Sequence, residues 1–208
     1  MNAASSFIYN ILEWITRFAY LNLLWIIFTL FGGVVLGFFP STTAMYAVAR
    51  QWLKGETDLP LFQMFWGYYR QEFWKSNLLG VFVTLITALI AADILFIQSN
   101  SNDLLSWTYA PLFAFMLLFA LFLFYLFPSF VHYDVNVRSV IKNSFLLMLI
   151  NPLNNLLILL TLVPLYYFMS LVPPLVVIFG GSVYAFLTMR FALHAFNKAS
   201  SQTESLPG

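Results

Sequence analysis

Residues 153–196 read LNNLLILLTLVPLYYFMSLVPPLVVIFGGSVYAFLTMRFALHAF, with Arg190 the only charged residue. The run is about twice the ~20 apolar residues that carry one helix across a hydrocarbon core. Val172-Pro173-Pro174 divides it, because proline removes a backbone donor and ends a helix at or before the preceding residue. The reading is a tight hairpin of two membrane spans, 153–171 and 175–196. Working outward, similar blocks cover 107–130, 77–98 and 18–39. The chain is 62% hydrophobic and only 8% charged over 208 residues. A water-soluble fold of that length has nowhere to hide so much apolar surface. The fold class is therefore all-α: a polytopic membrane helix bundle of about five transmembrane helices, one membrane domain over residues 1–208, with the lipid bilayer as its solvent. The first residues carry no basic stretch and the first apolar block is long for a signal peptide, so the N-terminus is expected to be retained.

Lys and Arg in short loops stay on the cytoplasmic side. Arg50, Lys54, Arg70 and Lys75 follow the first span, Arg138 and Lys142 the third, and Arg190 and Lys198 close the fifth. With five spans these three groups share one side, and Arg17 alone stands on the other. The count predicts a multi-pass protein of the bacterial plasma membrane with its N-terminus outside and its C-terminus in the cytoplasm. Ser99 to Ser106 is then an outer loop without a basic residue.

Two cytoplasmic segments show helical periodicity. Over 41–54, Met45, Val48, Ala49, Trp52 and Leu53 lie on one side and Thr43, Arg50 and Lys54 on the other. Over 62–75, Phe62, Phe65, Trp66, Tyr69 and Phe73 form an aromatic stripe beside Arg70, Gln71 and Lys75. Aromatic rings with basic neighbours suit the headgroup layer, so both read as interfacial helices. The same composition fits a partner-docking surface of Arg50, Trp52, Lys54, Trp66, Arg70 and Lys75. Residues 5–16 either lie on the membrane surface or extend the first span.

Ionisable groups inside a membrane are the default functional candidates, because an unpaired charge there is expensive. Asp93 falls near the outer end of the second span, where Arg17 is the basic residue expected at its level. Towards the cytoplasm, Asp134 and Arg138 are one helical turn apart and can pair. Asn151, Asn154 and Asn155 form a polar stripe, and Arg190 and His194 share a face. These groups read either as the lining of a cytoplasmic vestibule or as helix caps, interhelical glue and positive-inside charges. Gly33 and Gly37 make a GxxxG pattern in the first span, and Gly180-Gly181 permits close packing or a bend in the fifth. Phe39-Pro40-Ser41 and Phe127-Pro128-Ser129 are each followed at equal spacing by an arginine and a lysine, the trace of a duplicated two-span unit or a coincidence.

Several function classes fall away. A net charge of +1 with nine basic residues provides no nucleic-acid footprint. The absence of cysteine excludes disulfides, thiolate metal sites and a cysteine nucleophile. There is no phosphate-binding glycine loop or HExxH pair, and the two histidines, His132 and His194, have no triad context. No catalytic residue, metal ligand or cofactor is assigned, and the chain is read as not an enzyme.

Leu12-Glu13-Trp14, Leu21-Asn22-Leu23-Leu24-Trp25, the Pro40-Ser41-Thr42-Thr43-Ala44-Met45-Tyr46-Ala47 turn and the Phe65 to Phe73 aromatic segment resemble the YesL family, also called DUF624. Lys142-Asn143-Ser144-Phe145 and Asn151-Pro152 are similar to that family's second half, so the resemblance covers most of the chain. It implies a bacterial integral membrane protein without an assigned activity, of a kind encoded beside carbohydrate ABC importers. The expectation is a non-enzymatic accessory or assembly subunit of an oligosaccharide ABC import system, with the importer's permease subunits as partners. The alternative is a small transporter or channel acting as a homo-oligomer and relying on Asp93 and the inner polar groups. An ABC permease itself would carry a coupling loop with a Glu-Ala-Ala…Gly pattern, and the 130–151 segment has no glycine.

Overall fold

A computed structural model describes residues 3–99 and 107–204, with side chains placed for 7–99 and 107–198; the expected outer loop falls almost wholly outside these. Among the described residues eight helices follow one another: α1 (Ala3–Phe31), α2 (Val35–Leu53), α3 (Leu61–Gln71), α4 (Phe73–Ser99), α5 (Tyr109–His132), α6 (Val137–Ile150), α7 (Pro152–Ser170) and α8 (Pro173–Glu204). Among the described residues there is no strand, and α1, α4, α5, α7 and α8 are long and apolar enough to cross a membrane. The all-α polytopic reading holds, and α4, α5, α7 and α8 contain most of the spans expected from hydropathy. Residues 5–16 are part of α1, which continues without a break to Phe31.

The first span departs from expectation. It was read as continuous over 18–39, yet the chain reverses at Gly32-Gly33-Val34 and α2 returns antiparallel along α1. Gly33 has φ +72° and Val34 φ +65°, ψ −65°, and the Val35 amide donates to the Gly33 carbonyl at 2.8 Å. That is a γ-turn centred on a β-branched residue, a strained conformation. The hairpin is tight: a Cβ on Gly37 would land on the carbonyl oxygens of Thr29 and Phe28. Trp25 Nε1 donates to Thr42 Oγ1 at 3.1 Å, and Trp14 and Phe18 each set a ring edge-to-face on Trp52. Gly33 and Gly37 therefore serve a turn and a close approach within one chain.

Residues 41–54 are likewise no surface helix. Gly37, every residue from Pro40 to Ala49, and Trp52 are buried, with α2 packed against α1, α3, α4, α5 and α8. The physical reason is size. Ser41, Thr42, Thr43, Ala44, Ala47 and Ala49 are small all round the helix, so neighbours approach on every side. Pro40 leaves the Leu36 carbonyl without its helical donor, and Asn77 Nδ2 of α4 supplies one at 3.1 Å. By contrast α3 is amphipathic as read: Phe65 and Tyr69 are buried, Trp66 and Arg70 exposed. Glu72 breaks it from α4, which places Lys75 in the first turn of α4.

Two clusters form the core. One gathers Leu21, Leu24, Phe28, Met45, Val48, Trp52 and Phe65 around α2. The other gathers Leu79, Phe122, Leu126, Met148, Ile158 and Leu162 between α4, α5, α6 and α7. The two Phe-Pro-Ser segments do not occupy equivalent places, because Pro40 lies near the start of α2 and Pro128 near the end of α5.

Candidate functional site

The ends of the helices define a basic pole. Lys75 at the start of α4 lies 3.6 Å from Asp134, just past the end of α5, and its ammonium sits 5.3 Å from the centre of the Phe130 ring. His132 packs on Phe196 of α8, with ring centres 4.5 Å apart. Arg50 and Lys54 are within electrostatic reach of the same imidazole. Arg17 pairs with Glu13 and lies 3.8 Å from Asp58 in the loop after α2, so the hairpin brings the first part of α1 back to this loop.

Here α2, α3, the start of α4 and the end of α5 enclose a polar chamber of about 290 Å³. Its walls carry Thr43, Arg50, Glu72, Lys75, His132 and Tyr133, among others. α2 positions the first two: Thr43 and Arg50 lie two turns apart and so share a face. The α3–α4 break falls at Glu72, and both Glu72 and Lys75 line the same chamber. Burial raises the Tyr133 phenol above its ordinary range. Gln51 Nε2 donates to Tyr68 OH at 2.9 Å and so orients that wall. Thr43 Oγ1, Arg50 Nε and His132 Nδ1 are buried without a hydrogen-bond partner. Buried polar atoms are ordinarily paired, and the three residues that carry these orphans all line this one cavity.

The residues singled out in the sequence divide sharply. Arg50, Lys75 and Asp134 come together at the chamber, while Thr43, Glu72, His132 and Tyr133 were not anticipated as part of it. Thr43 shares the polar side of its segment with Arg50 in the sequence, but nothing there marks that side as lining a cavity. Asp134 meets Lys75 across the fold, where pairing with Arg138 along the chain had been expected; Arg138 is exposed. Arg17, expected at the level of Asp93, is instead held by Glu13 and Asp58. Asp93 lines a separate pocket of about 370 Å³ with Thr108 and Phe115, near the other ends of α4 and α5.

The asparagine stripe is glue. Asn151 Nδ2 donates to the Leu147 carbonyl and Asn155 Nδ2 to that of Met148, while Asn154 Nδ2 bridges Tyr125 OH at 3.0 Å and the Phe191 carbonyl at 2.9 Å. These bonds join α6, α7, α5 and α8. Arg190 and His194 are exposed on α8. Of the docking candidates, Trp52 is buried, whereas Lys54, Trp66 and Arg70 remain exposed and the unanticipated Trp74 is 82% exposed beside them. Asn22, noticed only as part of a motif, is buried and bridges to α8: its Nδ2 donates to the Val177 carbonyl at 2.6 Å and its Oδ1 accepts from the Ser182 amide at 3.0 Å. Gly181 makes room for it, since a Cβ there would press on Asn22 Oδ1.

The sequence matches the family described as "Protein of unknown function, DUF624" over residues 18–94, from the middle of α1 to the outer part of α4. It is 39% identical over 178 residues to the uncharacterized protein YteU of Bacillus subtilis (strain 168), covering 86% of this chain and 80% of the relative. Similarity to the uncharacterized proteins YesV and YesL of the same organism is 35% and 32% identity, each over 191 residues. Those matches cover 91% of this chain and 91% of YesV, and 92% of this chain and 90% of YesL. No solved structure matches the chain.

Proposed function

Because the chain belongs to the DUF624 (YesL-like) family, we propose that it is a non-enzymatic accessory or assembly subunit of a carbohydrate ABC import system, seated in the bacterial plasma membrane beside the importer's permease subunits. One structural observation carries this reading over that of a transporter acting alone. The polar chamber at one pole and the Asp93 pocket at the other are separated by Leu79, Tyr125, Leu126 and Ile158, all fully buried, with Phe122 and Leu162 nearly so. A substrate path would have to part that packing. Meanwhile the outer halves of α4 and α5 expose Leu85, Leu89, Leu95, Phe113 and Leu117, an apolar surface open to lipid or to another protein's helices.

Gentle detergent solubilisation of the tagged protein from its native membrane, followed by mass spectrometry, is expected to recover ABC permease subunits in near-stoichiometric amount. Recovery of the protein alone, together with sugar flux in liposomes that is lost on changing Asp93, would establish the transporter reading instead.

The same proposal includes an orientation. The hairpin returns the chain to the pole where Arg17 lies, and α4, α5, α7 and α8 then cross in two pairs. Arg17 thus joins Arg50, Lys54, Arg70, Lys75, Arg138, Lys142, Arg190 and Lys198 on one side. By the positive-inside rule that side is the cytoplasm, with both termini in it. This replaces the N-out expectation, which took the first span to run straight through to Phe39. The chain has no cysteine, so single cysteines report cleanly. Asn10→Cys is expected to resist a membrane-impermeant maleimide on intact cells and to react after lysis, while Trp107→Cys reacts in both. Labelling of Asn10→Cys on intact cells would restore the N-out topology.

A further inference from the structure

Arg50 is the unusual charge in this molecule. It projects from the most buried helix, its Nε is buried without a hydrogen-bond partner, and among the described residues no carboxylate lies within ion-pairing distance of it. Leaving a half-buried guanidinium uncompensated is costly, and its planar fork suits an oxyanion better than any other group. Thr43 Oγ1 stands on the same face of α2, fully buried and without a partner, as a further donor. The chamber's second cation, Lys75, lies 3.6 Å from the exposed carboxylate of Asp134, which also lines the chamber. Glu72 also lines the chamber and forms no ion pair among the described residues, which leaves an acceptor for hydroxyl donors. At about 290 Å³ the space fits a small polar group, near the lower end of the ~300–1,000 Å³ typical of ligand sites.

We propose that the chamber binds a polyol phosphate, with its oxyanion on Arg50 and Thr43 and its hydroxyls towards Glu72. This chemistry has two sources: the headgroup of an anionic glycerophospholipid entering from the membrane, or a free polyol phosphate entering from the water. The inference does not rest on the importer-subunit reading and stands or falls apart from it.

The test uses the full-length purified protein. Native mass spectrometry from mixed micelles counts retained phosphatidylglycerol against phosphatidylcholine, and a thermal-shift titration with glycerol phosphate reports the soluble source. The wild type is expected to retain phosphatidylglycerol selectively or to be stabilised by glycerol phosphate, and whichever probe binds identifies the source. Arg50→Gln should weaken that binding about tenfold or more, the scale of a lost charge-assisted pair. Thr43→Val should weaken it by a smaller factor, and Arg70→Gln, exposed on α3 outside the chamber, should leave it unchanged. Monodisperse elution of each variant shows that it folds; where Arg50→Gln does not, Arg50→Lys and Thr43→Val carry the comparison. Binding of neither probe, or equal losses in Arg50→Gln and Arg70→Gln, would overturn the proposal, the latter by showing diffuse surface attraction.

Discussion

Gly37→Val is expected to abolish the α1–α2 hairpin and with it the folded protein. At Gly37 the two helix backbones touch, so an added Cβ collides with the Thr29 and Phe28 carbonyl oxygens and not with a movable side chain. Ordinary overpacking costs about 1–3 kcal/mol when neighbours can rearrange. Two backbones held at opposite ends of a short turn have little room to do so, and the effect should lie at or above the top of that range. Gly67→Ala is the matching control, because a Cβ there meets nothing. Removing a glycine from the helix interior of α3 should be neutral or stabilise by roughly 0.5–1 kcal/mol. Graded heating followed by fluorescence-detected gel filtration reads both. A Gly37→Val protein that elutes and melts like the wild type would show that the helices do not meet as described.

Asn22→Leu should cost about 1–3 kcal/mol. The two bonds of Asn22 go to main-chain groups of α8, the Val177 carbonyl and the Ser182 amide, inside a bundle where water does not replace them. Each lost hydrogen bond is worth about 0.5–1.5 kcal/mol net, and leucine makes neither. Gly181→Ala attacks the same joint from the other side. Because both changes disturb one contact, their combined effect should fall well short of the sum. A fully additive double variant would show that Asn22 and Gly181 do not act on each other.

How much of this was legible beforehand differs from element to element. α4, α5, α7 and α8 were readable because a long apolar run has one solution in lipid, a helix that satisfies its own backbone. α3 was readable because its aromatic stripe has helical period. α2 differs from its sequence reading for a specific reason: Met45, Val48, Ala49, Trp52 and Leu53 against Arg50 and Lys54 give the pattern of a surface helix, while the small Ser, Thr and Ala residues that let neighbours bury its other sides carry little hydropathy signal. The chamber was half visible. Arg50, Lys75 and Asp134 stood out as charges, but Thr43 and Glu72 join them only because α2 folds back and α3 breaks at Glu72. Asn22 stood out only as part of a motif, since its partners are backbone atoms more than 150 positions away.

The sequence by itself determined that this is a helical membrane protein with its positive charge gathered at the ends of its spans. Transfer of apolar side chains into lipid depends on local composition, and local composition is what a sequence displays. Only the tertiary structure decided that the chain doubles back at Gly32-Gly33-Val34, that Arg17 meets Asp58, and that Thr43, Arg50, Glu72 and Lys75 line one chamber. Those outcomes depend on which small residues let two backbones touch, a property of pairs of surfaces that hydropathy along one chain does not contain.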